Sequence, residues 1–80
     1  MQISQAAQIL RQMYERAKPY REQATAIHYF AVKYANQIED ISPREIVVSA
    51  GMAEAYKTEI SKGTKLAQYV TISRTPPWDT

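Results

Sequence analysis

Glycine occurs only at positions 51 and 63 of this 80-residue chain, and proline only at 19, 43, 76 and 77. These residues are where a backbone most readily turns or can no longer continue a helix. The segments between them must be uninterrupted elements. Within those segments apolar residues recur three and four apart, and the strict alternation of a half-buried strand is almost absent. The pattern implies an all-α fold, a compact bundle of about five helices. No repeat or low-complexity tract breaks it.

The first helix is expected over about Gln5 to Ala17, with Ser4 as N-cap. Ile3, Ala6, Ala7, Leu10, Met13, Tyr14 and Ala17 share one face. Lys18-Pro19 stops it, because a residue before proline avoids helical angles. The second runs from about Glu22 to Asn36, and its middle, Ala26 to Val32, is apolar nearly all round, as suits a central helix. The third carries the strongest local signal. Ser42-Pro43-Arg44-Glu45 is a capping box with proline at the first helical position, and Ile41 and Ile46 fall where a hydrophobic staple needs them. It ends at Gly51, which accepts the left-handed conformation other residues resist. A fourth helix is expected from Ala53 to Lys62, stopping at Gly63, and a last one from Lys65 to Val70 after Thr64 as a weak cap. Residues 1–72 then make a single domain. Residues 73–80, with Pro76-Pro77-Trp78, read as a mobile tail unless the tryptophan docks.

Composition removes several function classes. Without cysteine there is no disulfide framework, thiolate nucleophile or zinc finger. One histidine, His28, lies in an apolar helix and reads as a core or partly covered side chain with one hydrogen bond rather than a catalytic base. No metal set, glycine-rich phosphate loop or serine elbow is present, so no cofactor and no enzymatic activity are expected. No apolar run approaches a membrane span, and a cytoplasmic location without membrane contact is the expectation. Five of the six tyrosines, at 14, 29, 34, 56 and 69, are expected in helices with rings buried and hydroxyls wet.

Two short helices joined by a tight glycine turn are the ingredients of a helix-turn-helix over Ser42–Gly63. In such a unit the first helix holds the second outward, where it fits a DNA major groove. The run Ile41 to Met52 resembles the first helix and turn of the Cro/phage-repressor type of helix-turn-helix, and Thr58 to Gly63 is similar to the ending of that family's recognition helix. More loosely, Ile27 to Ala35 with Tyr56 to Gly63 resembles small bacterial helix-turn-helix-like proteins of undefined role. The first resemblance implies sequence-specific binding of double-stranded DNA by a homodimeric transcriptional regulator. Ala53 and Glu54 would then enter at the groove edge, Lys57, Thr58 and Ser61 would face bases or adjacent phosphates, and Lys62 and Lys65 would contact phosphates. Lys57 stands where the family buries a valine or isoleucine; Tyr56 fills the space by a small rotation of the helix, or Lys57 snorkels. Glu54 and Glu59 fall where the family often presents Gln, Ser or Arg to bases, although glutamate can accept from cytosine N4.

Charge is segregated along the chain. Residues 1–38 carry a net +3, 39–56 a net −3 and 57–75 a net +3, which with Asp79 gives +2 overall. The second basic cluster begins inside the projecting helix and suits phosphates flanking a groove. The rival reading is a protein-interaction module, an adaptor or antitoxin-like partner without DNA binding. Glu54, Glu59 and the Pro-Pro-Trp tail favour it.

Overall fold

The structure is a computed structural model that describes residues 1–79; Thr80, the last residue of the expected tail, lies outside them. Lys18-Pro19 ends the first helix where the sequence places the stop. Helix α1 spans Ile3–Ala17, with Gln2 rather than Ser4 at the N-cap, and passes into a 3-10 turn over Lys18–Tyr20. Arg21 then takes the left-handed conformation at φ 56°, reversing the chain into α2, Gln23–Tyr34. Helix α3 spans Pro43–Ser49, a second 3-10 turn covers Glu54–Tyr56, and α4 runs Lys57–Leu66.

Among the described residues there are four α-helices, not five. The difference lies at Gly63. It does not stop a helix but sits buried inside α4, at the crossing with α2. A Cβ built there would stand 2.4 Å from the Ala31 Cβ and 3.0 Å from the His28 carbonyl oxygen. The glycine is present because two backbones approach closely. The expected final helix over Lys65–Val70 is accordingly absent: Lys65 and Leu66 belong to α4, and a turn follows.

Helix α2 is the centre. It packs against α1 on one side and α4 on another, while α1 also rests on α3 and α3 on α4. Ala6, Leu10, Met13 and Ala17 from α1 meet Ala26, Ile27, Phe30 and Ala31 from α2, closed by Ile46 and Val47 of α3 and Ile60 of α4. Fully burying each larger side chain contributes about 1.5–3 kcal/mol. Ile3, at the open end of the α1 stripe, stays exposed.

A further side of α2 is covered by the C-terminal segment, in which the tryptophan docks, the condition set for the tail not to be mobile. Trp78 is only 3% exposed and joins the core. Its indole N–H donates to Glu22 Oε1 at 3.1 Å, and its ring meets that of Tyr29 edge-on, centroids 5.2 Å apart. Asp79 Oδ2 accepts from the Tyr29 hydroxyl and from Lys33 Nζ, each at 2.7 Å. Glu22, Tyr29 and Lys33 lie seven and four residues apart, one stripe along α2. Burial alone would raise the Asp79 carboxyl, but the hydrogen bonds from Lys33 and Tyr29 hold it below the ordinary aspartate range. No helix among the described residues is long and apolar enough to cross a membrane.

Candidate nucleic-acid interface

The unit that presents the site is fixed by local rules. Ser42 is extended at φ −63°, ψ 126°, in the N-cap position, and Pro43 opens α3. The Ser42 side chain makes no cap hydrogen bond, however, so the capping box holds in its placement and not in its hydroxyl. At the other end Gly51 adopts φ +74°, its N–H bonding the Val48 carbonyl, and Met52 N–H bonds the Val47 carbonyl. This paired closure is a Schellman turn, and the buried side chains of Val47 and Met52 supply its apolar contact. The chain leaves the turn through extended Ala53 and enters the 3-10 turn leading into α4.

The register of α4 follows from its buried stripe. Tyr56, Ile60 and Gly63 face inward. Tyr56 packs on the core, its ring set edge-on to Tyr14 with centroids 6.0 Å apart and the two hydroxyls 3.4 Å apart. Tyr56 thus fills the inner space and leaves Lys57 exposed, the first of the two alternatives open at that position. The same register turns Glu59 toward α2, where it is hydrogen-bonded to His28 Nε2, with Lys62 Nζ at 3.4 Å. Glu59 is therefore not presented on the outer face. The hydrogen bond to His28 is the main reason its carboxyl is held below the ordinary glutamate range. His28 is partly covered rather than in the core, the second of the two settings open for it, and Glu59 is its side-chain partner among the described residues.

Five of the seven residues singled out from the sequence come together. Lys57, Thr58, Ser61, Lys62 and Lys65 line one open groove of about 410 Å³ between α4 and the start of α3. Ser42, Pro43 and Arg44 complete its wall. Four cationic side chains and three hydroxyl residues thus share one concavity. Lys57, Thr58, Lys62 and Lys65 are exposed and Ser61 is half-buried. The Thr58 hydroxyl donates to the Ala55 carbonyl at 3.0 Å, so toward a ligand it offers acceptor lone pairs. Lys65 has no ion-pair partner among the described residues.

Ala53 and Glu54 are exposed but do not line the groove. Glu54 closes its upper edge instead. Its Oε1 accepts from Arg44 Nε at 2.8 Å and from Lys57 Nζ at 3.3 Å. Those two hydrogen bonds, Arg44 first, hold the Glu54 carboxyl below the ordinary range. Sequence reasoning missed two site residues, Ser42, which it read only as a cap, and Arg44. Arg44 lies in the first turn of α3, outside the projecting helix, and its only sequence signal was a lone cation in an otherwise acidic stretch.

A family model described as an HTH-like domain matches residues 2–73. No curated protein and no solved structure matches the chain.

Proposed function

The chain belongs to the HTH-like domain family, and from that membership we propose that it binds double-stranded DNA through the outer face of α4. The observation that carries the reading is the groove shared by α3 and α4. A polyanion of regular charge spacing needs several cations on one accessible surface, and Arg44, Lys57, Lys62 and Lys65 supply them there. The hydroxyls of Ser42, Thr58 and Ser61 lie between the cations and suit phosphate or base-edge hydrogen bonds. The residues of α4 that look outward can enter a major groove, as in the Cro/phage-repressor arrangement.

In this reading the protein is a cytoplasmic transcriptional regulator that works as a homodimer on paired half-sites, without catalytic activity or cofactor. The test is duplex binding over a salt series. Four phosphate contacts per subunit give a log–log slope near about −3.6 per subunit. Absence of binding at low salt across a broad duplex pool would reject it.

A protein partner is the second reading, and one observation favours it. Leu66, Tyr69, Val70 and Ile72 are all exposed in the stretch that follows the α4 core, with Tyr69 at 82%. Several exposed apolar side chains in one short stretch suit an interaction surface. A stoichiometric protein complex that survives Lys57→Glu would support that reading.

A further inference from the structure

The carboxylate of Glu54 stands between two cations that line the groove, Arg44 and Lys57. One oxygen, Oε1, serves both Arg44 Nε and Lys57 Nζ. These two cations come from different helices, so the contact also bridges α3 to the start of α4. It is not a buried structural pair: the Glu54 side chain is 49% exposed and that of Arg44 57%. Exposed pairs contribute little to stability, which leaves the contact free to exchange. Glu54 also opens the 3-10 turn leading into α4, the end at which a projecting helix meets base edges.

Two costs arise when a duplex approaches. A phosphate seated on Arg44 and Lys57 must displace the carboxylate, and the displaced carboxylate must not be left facing acceptors. Guanine and thymine offer it only acceptor atoms in the major groove, and adenine offers a donor beside the acceptor N7. The cytosine N4 amine has an acceptor on one side only, the O6 of its paired guanine, whereas the adenine amine stands between two, N7 and the thymine O4. We propose that Glu54 is a specificity-determining residue that occupies the Arg44–Lys57 phosphate site in the free protein and yields it where a cytosine amine takes the carboxylate in exchange. Backbone contact and base reading are thereby coupled through one side chain. The proposal rests on the duplex-binding reading above and assigns its discrimination.

The experiment compares the wild type, Glu54→Gln, Arg44→Gln and the double variant on a pool of random duplexes, with affinity, salt slope and base preference read together. Thermal midpoints within a degree or two would establish that all four are folded. Glu54→Gln is expected to bind the unselected pool on the order of fivefold more tightly, because the competing charge is gone. Its salt slope should steepen by about 0.9 for each cation released. Its preference at one position should move from cytosine toward adenine, which a glutamine can grip through N6 and N7. In the Arg44→Gln background the gain should shrink. Binding by the wild type with no gain in Glu54→Gln, or a gain without the change in base preference, would overturn the exchange and leave duplex binding standing. No duplex binding by any of the four would remove both.

Discussion

Helix α4 has two flanks that obey opposite rules. On the inner one it lies so close to α2 that a single methyl group at Gly63 would stand 2.4 Å from Ala31. Ile60 beside it is wholly buried, and Glu59 and His28 satisfy each other across the seam. On the outer flank a groove of about 410 Å³ stands open, its cations held by single exposed contacts or by none. The inner flank gains from shape and tolerates no change of volume. The outer flank adds little to stability and is therefore free to be composed for a ligand. A helix ten residues long can serve both ends because its faces diverge by only a few positions.

The sharpest way to break this contrast lies in the apolar seams around α2. Replacing Trp78 by alanine is expected to lower unfolding stability by about 3 kcal/mol, since a buried indole, its hydrogen bond to Glu22 and its contact with Tyr29 go together. A denaturant titration measures it, and a loss within about 0.5 kcal/mol, the range of a surface change, would mean that the segment does not dock. Gly63→Ala comes next. Overpacking costs about 1–3 kcal/mol and the helix gains back about 1 from alanine, so a net loss on the order of 1 kcal/mol is expected. The paired control is Gly51→Ala, where nothing lies within 4 Å and the loss comes from the left-handed backbone alone, about 1–2 kcal/mol. Ala31→Gly itself costs about 1 kcal/mol in a helix interior, so it should add in full to Gly51→Ala, whereas added to Gly63→Ala it relieves the clash and should cost clearly less.

The outer flank answers to different measurements. Lys62→Gln and Lys65→Gln should change stability by less than about 0.5 kcal/mol. Each should make the salt slope of duplex binding shallower by about 0.9. The smallest effect is acid sensitivity at the Asp79 contact. The folded carboxyl titrates below its unfolded value, so its contribution is complete above the unfolded pKa and is lost as pH falls through the lower, folded one. Asp79→Asn should flatten that part of the stability profile and leave neutral duplex binding unchanged.

What could be read from the residues alone divides along the same line. Ser42-Pro43 and Gly51 announce the start and end of α3 because caps and left-handed turns are decided within a few residues. The outward placement of Lys62 likewise follows from one helical period, whereas that of Lys57 depends on Tyr56 filling the inner space. Gly63 was misleading because a glycine that ends a helix and one that admits a neighbouring backbone have the same local signature. The neighbour, Ala31, is 32 positions away in sequence. The resemblance aligns Glu59 with a position that the family often turns to bases, yet the Tyr56, Ile60, Gly63 stripe already sets it on the side of α2. Arg44 was hidden because its role arises only where two helices meet. The docking of Trp78 depends on Glu22, Tyr29 and Lys33 being aligned along one helix and bare on the side that receives it, which no short window of sequence can show.

The strap across α2 holds the chain's only tryptophan. Intrinsic emission excited at the red edge therefore watches the strap rather than the bundle, whereas far-ultraviolet dichroism watches the helices. Two optical probes of one sample thus report on two parts of it. The gap between their melting curves would give the cooperativity of the last few residues with everything beneath them.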